Sequence, residues 1–114
     1  MKKVEATIRS SKLEDVTNAL HAVGVDFFTY VHVKDISKQK PKEEVYRGQV
    51  HEVKSLSRVM LEILISDASE EKTINAIVSA AKTGEVGDGK IFVSTVEKAV
   101  RIRSGQNITE EEAY

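Results

Sequence analysis

Thr83-Gly84-Glu85-Val86-Gly87-Asp88-Gly89-Lys90 holds three of the chain's six glycines and runs directly into Ile91-Phe92-Val93. Glycine accepts positive φ and leaves room for a ligand beside the backbone. Gly84 is placed to close a preceding helix as a left-handed C′ residue. Gly87 and Gly89 bracket Asp88, and bare amide N–H groups beside the Lys90 ammonium make a cradle for an anion. G-x-G-K alone equally suits a tight helix-to-strand turn with no ligand, because short glycine motifs are weak evidence. Arg101 and Arg103, read as alternating on one face of an extended segment, add two cations and favour a phosphate site.

The positioning framework must fit in 114 residues, 40% of them hydrophobic, which suits one domain (residues 1–114) with a modest core. Seventeen basic and eighteen acidic residues give a net charge of -1. That balance argues against a nucleic-acid binder, which is usually visibly basic. With no cysteine, disulfides and thiolate metal sites are excluded. No apolar run approaches the roughly 20 residues of a membrane span, and Met1-Lys2-Lys3 leads into alternating residues rather than a signal-peptide block. The expectation is a soluble, cytoplasmic protein.

Val4, Ala6 and Ile8 alternate with Lys3, Glu5, Thr7 and Arg9, the pattern of a half-buried strand. Ser11 and Glu14 have capping-box spacing ahead of a helical stripe of Leu13, Val16, Leu20 and Val23, which Gly24 ends. A second strand runs from Val25 to about Ile36. Residues 37–57 break every pattern, hold the only proline (Pro41), and read as a mobile binding loop, a disordered insertion being the alternative. Arg58 to Ile65 is apolar on both faces apart from Glu62, hence central; Glu62 itself also reads as an edge or salt-bridged carboxylate. A second helix opens at Ser69-Glu70-Glu71, acidic at its N-terminus as the dipole favours. Ile74, Ile77, Val78 and Ala81 form its stripe. Ile91 to Val96 makes a fourth strand, Val100 to Arg103 a short fifth, and residues 104–114 a loose polar tail. Strand–helix–strand twice over gives an α+β, ferredoxin-like βαββαβ sandwich. One face of its sheet has no helix over it, which self-association would cover.

The glycine segment with its trailing Arg101-Ile-Arg103, together with Tyr46-Arg47-Gly48 and the opening Met1-Lys2-Lys3-Val4-Glu5-Ala6, resembles the PII nitrogen-regulatory signalling proteins. The resemblance runs almost ungapped to about residue 105. It implies a homotrimer that binds ATP or ADP competitively in three clefts between subunits, with Mg2+ accompanying ATP and 2-oxoglutarate as a possible effector. It implies partners reached through the long loop: an ammonium transporter or other membrane transporter, or regulatory enzymes. By the same resemblance the nucleotide contacts fall on Thr29, Lys38, Glu62, Leu64, Gly87, Asp88, Gly89, Lys90, Arg101 and Arg103. Arg9, Gln39 and Arg58 fall at the 2-oxoglutarate site, Gln39 also at the magnesium. Family glycines are replaced here by Asp35, Ser37 and Pro41, a steric cost wherever positive φ is needed. Arg58 stands for the usual lysine. The uridylylated tyrosine and phosphorylated serine of relatives are His51 and Gln49, so neither modification can occur there.

His21, His32 and His51 are too scattered for a metal site, and no Ser-His-Asp order or carboxylate pair supports an enzyme. A non-enzymatic nucleotide sensor acting through its loop is the leading reading. The alternative is a divergent relative serving another transporter, such as a metal efflux pump, without 2-oxoglutarate sensing.

Overall fold

The computed structural model describes residues 1–39 and 52–114. Six elements position the site: β1 (Lys2–Arg9), α1 (Leu13–Ala22), β2 (Thr29–Gln39), β3 (Glu52–Ile65), α2 (Glu70–Ala81) and β4 (Gly89–Thr95). The sheet order is β2-β3-β1-β4, every neighbouring pair antiparallel. This is the expected ferredoxin-like α+β sandwich, with β3 and β1 in its centre.

Alternation decides which face is dry. Val4, Ala6 and Ile8 of β1 and Val59, Leu61, Ile63 and Ile65 of β3 are buried against Val16 and Leu20 of α1 and Ile77 and Ala81 of α2. Burying each such branched side chain contributes about 1.5–3 kcal/mol, which makes this layer the main source of stability. The opposite face carries Lys3, Glu5, Thr7 and Arg9 beside Arg58, Met60, Glu62 and Leu64, with Val31 and Phe92 half or more exposed at the flanks. Among the described residues, no helix covers that face.

Several local expectations shift. The helix after β1 begins later than Ser11: Ser10–Lys12 form a 3-10 turn, Lys12 is the cap of α1, and no side-chain cap bond forms. The second strand starts at Thr29, four residues late, because Val25 is buried in the core and its amide still bonds the Leu20 carbonyl at 2.9 Å. The stretch read as a loop over 37–57 is shorter. Ser37, Lys38 and Gln39 pair with Lys54, Val53 and Glu52 as a continuation of the β2–β3 ladder. Residues 40–51, including Tyr46, Arg47 and Gly48, lie outside the described residues.

The C-terminal segment differs most. Val100 to Arg103 is not a strand: a single antiparallel bridge joins Val100 to Asn107, and Gly105 (φ 69°) returns its amide to the Arg101 carbonyl at 2.8 Å. Arg101 and Arg103 therefore sit on a turn. The tail is fastened rather than loose. Thr109 and Glu112 make a reciprocal capping box around a 3-10 turn, Glu110–Glu112. The Tyr114 carbonyl accepts the Ser66 amide at 2.9 Å. Glu110 lies 2.8 Å from the Met1 ammonium, which also pairs with Asp67 at 3.1 Å.

Candidate functional site

The glycine loop is shaped from beneath. Arg9 and Arg58 stand directly opposite each other on β1 and β3, and two like charges in register repel unless acceptors surround them. The loop supplies those acceptors. Arg9 Nη2 donates to the Val86 carbonyl at 3.0 Å and its Nε to Asp88 Oδ1 at 3.1 Å, while Arg58 donates to the Gly87 carbonyl. Arg58 is only 6% exposed, so its charge is held by the protein. Its Nε lies 3.4 Å from Asp35 Oδ2, an ion pair without hydrogen-bond alignment.

Asp88 knots the loop from within. Its carboxylate accepts the Thr83 hydroxyl, the Thr83 amide at 2.8 Å and the Gly84 amide at 2.9 Å, besides Arg9. The Thr83 hydroxyl leads these contacts in holding the acid well below the usual carboxylate range. The carboxylate's bonds thus lie within the fold, and what Asp88 offers the site is the shape of the loop.

Two glycines are needed for close approach. A Cβ on Gly89 (φ 114°) would lie 1.8 Å from the Thr7 carbonyl oxygen, and one on Gly87 would crowd the Arg58 and Arg9 guanidinium groups at 3.3 and 3.4 Å. Gly89 and Lys90 open onto a cleft of about 320 Å³ bordered by Thr7, Asp88 and the α2 residues Ile77 and Val78.

A second hollow, about 480 Å³, lies at the other end of β4. Thr29, Glu62, Leu64 and Arg101 all line it, with Phe28, Lys3 and the tail residues Glu112 and Tyr114. Residues that sequence reasoning grouped from distant positions meet here because Thr29 pairs with Glu62 across β2–β3 and β1 brings Lys3 opposite Leu64. Glu62 is salt-bridged to Lys3 at 3.3 Å, and it also lines the hollow. Arg103 is exposed on its turn and is not among the lining residues. The side chains of Lys38 and Gln39 lie outside the described set.

The expected nucleotide residues thus fall into two groups. Gly87, Asp88, Gly89 and Lys90 cluster beside Ile8 and Arg9, whereas Thr29, Glu62, Leu64 and Arg101 gather near Lys3 and Val96. The strand between them, Gly89–Thr95, is roughly 20 Å long at about 3.3 Å per residue. Sequence reasoning missed the tail as a wall of the hollow, although Thr109-x-x-Glu112 carries the capping-box spacing that signals an ordered turn.

By fold the molecule is a ferredoxin-like sandwich, and solved structures narrow the class. It is similar to B. subtilis GlnK (TM-score 0.80, 32% identity, covering 97% of this chain and 96% of that one). It is also similar to Arabidopsis thaliana PII bound to citrate (TM-score 0.75, 32% identity, covering 93% and 83%). The family model described as Nitrogen regulatory protein P-II matches residues 1–106. Proteins of that name are 46% identical over 106 residues in Rhodospirillum rubrum (93% of this chain, 95% of the relative) and 47% over 107 in Bradyrhizobium diazoefficiens (94% and 96%). The chain belongs to the nitrogen regulatory protein P-II family of signalling proteins.

Proposed function

We propose that this chain is a non-enzymatic, cytoplasmic sensor of ATP and ADP that works as a homotrimer and reports to partner proteins through the segment between β2 and β3. The observation that carries the reading is the hollow uniting Thr29, Glu62, Leu64 and Arg101. Its apolar wall of Phe28, Leu64 and Ile108 suits an adenine ring, and Arg101 and Lys3 suit charge. The glycine loop lies about a strand's length away, out of reach of the same ligand within one protomer. A neighbour's glycine loop brought against the hollow would complete the site, holding phosphate on Gly87, Gly89 and Lys90. Mg2+ would accompany ATP.

Nucleotide state can bias the partner-facing segment only through differential affinity for its conformations. Ser37–Gln39 and Glu52 form the base of that segment, and Asp35, two residues away, contacts Arg58, which holds Gly87. These contacts, Asp35 to Arg58 and Arg58 to Gly87, support a route from site to segment. An ammonium transporter or another membrane transporter is the kind of partner proposed, with regulatory enzymes as further candidates.

The Asp35–Arg58 contact favours the divergent reading, in which 2-oxoglutarate is not a strong signal. Arg58 already has a carboxylate beside it, and Arg9 is committed to Val86 and Asp88, so a dicarboxylate would have to displace both. Calorimetry with ATP, with ADP, and then with 2-oxoglutarate in the presence of Mg2+ tests each part. Competitive binding of both nucleotides is expected, with at most a weak 2-oxoglutarate response. A chain that stays monomeric and binds neither nucleotide at millimolar concentration would overturn the reading.

A further inference from the structure

Arg101 does not face the hollow unpartnered: its Nη1 donates to Glu112 Oε2. The other oxygen of that carboxylate, Oε1, accepts the Thr109 amide at 3.1 Å and the Thr109 hydroxyl at 3.0 Å. Glu112 lies on a short strap tied at both ends. Glu110 holds the Met1 ammonium and accepts the Asp67 amide, and Tyr114 holds the Ser66 amide through its carbonyl. Between these anchors Glu112, Ala113 and Tyr114 form one wall of the 480 Å³ hollow. Lys3, the other cation lining the hollow, lies 3.3 Å from Glu62 and 3.6 Å from Glu5. Both cations of the hollow are therefore matched by carboxylates of the chain itself.

We infer that Glu112 competes with an anionic ligand group for Arg101, so that the strap of residues 109–114 sets the affinity of the hollow for its ligand. The inference rests on the nucleotide reading above. The division of the carboxylate makes the exchange feasible. Arg101 uses Oε2 alone, so it can turn to a phosphate while Oε1 keeps the Thr109 cap and the turn stays folded. A phosphate carries more charge and more acceptor oxygens than a carboxylate and outcompetes it for a guanidinium fork. Side chains of Arg101 and Glu112 are 43% and 39% exposed, so the competition is screened by water and salt and amounts to a small factor rather than a block.

The test is calorimetric titration of the full chain with ATP and with ADP. Glu112→Gln keeps an amide oxygen for Thr109 and removes the charge. It is expected to bind about two- to five-fold more tightly than the parent at low salt, the difference narrowing at high salt. In an Arg101→Ala background the same substitution is expected to change nothing, as a pairwise interaction requires. Unchanged or weaker binding by Glu112→Gln, or a gain that survives loss of Arg101, overturns the competition while leaving nucleotide binding intact. If the parent and every variant ignore both nucleotides, the nucleotide reading falls and this inference falls with it. Circular dichroism establishes that each variant is folded before its affinity is compared.

Discussion

Gly84 and Gly89 both have positive φ, at 89° and 114°, but their surroundings differ completely. Around Gly84 nothing lies within 4 Å of an added Cβ, so Gly84→Ala carries only the left-handed backbone penalty, about 1 kcal/mol. At Gly89 the Cβ would penetrate the Thr7 carbonyl, and either β4 moves off β1 or the loop is rebuilt. Gly89→Ala is expected to destabilise by about 3 kcal/mol or more, because strain is added to a backbone clash. Urea titrations of the two variants give the comparison, and equal midpoints would contradict it. Acid behaviour follows from two other side chains. Arg101 first, then the Thr109 amide and hydroxyl, lower Glu112 from 4.5 to about 2. Asp88 is lowered too, the Thr83 hydroxyl leading. A depressed folded-state value means stability present in full above the unfolded value and lost as pH falls toward the folded one. The thermal midpoint should therefore drop as pH goes from about 4.5 to 2. That drop should be smaller in Glu112→Gln than in the parent, as scanning calorimetry across that range would show.

Among the elements, the strap depends on charges brought together from both termini and the β3–α2 junction. Glu110 raises the Met1 ammonium above its ordinary 8.0, ahead of Asp67, and a raised value means the contribution is complete below that pH and fades as the amine deprotonates. Glu110→Gln should loosen the strap at neutral pH. Hydrogen exchange should quicken at the Ser66 amide and stay slow at Val4 and Leu61; equal protection at Ser66 would refute the tie. The strap also shows what the sequence could and could not reveal. Ser11-x-x-Glu14 and Thr109-x-x-Glu112 have the same spacing, yet only the second caps. Leaving β1, the chain turns through Ser10–Lys12 before α1 starts, so Ser11 lies within that turn. Thr109 follows an extended residue path and keeps φ -86° and ψ 166°, the backbone a cap requires. Alternation and helical stripes located both helices and all four strands because burial acts on each residue where it stands. The ends of β2 and β3 were illegible. Lys38, Lys54 and Glu52 are poor strand formers, and only cross-strand pairing, a non-local effect, carries the ladder through them. Asp88's tie to Arg9 was hidden for the same reason, since Arg9 reaches it only after the sheet has formed, whereas its bonds to Thr83 and Gly84 are local.

At the scale of the whole molecule, the described residues leave one sheet face without a helix over it. Phe92 is 58% exposed and Val31 50%, large apolar groups among charges, the composition of a surface that meets its own copies. If the proposed trimer forms through this face, Phe92→Glu is expected to leave the far-ultraviolet spectrum unchanged and to give monomers in light scattering where the parent gives trimers. A trimer that persists would place the contact elsewhere. The hollow and the glycine loop lie at opposite ends of β4, and this has a genetic corollary. Each cleft of a ring would draw its two halves from different chains, so two alleles, one without Arg101 and one with Gly87 blocked, could rescue each other. Rings assembled from both would regain an intact cleft wherever the two sound halves happened to adjoin. Either defective chain alone would stay silent.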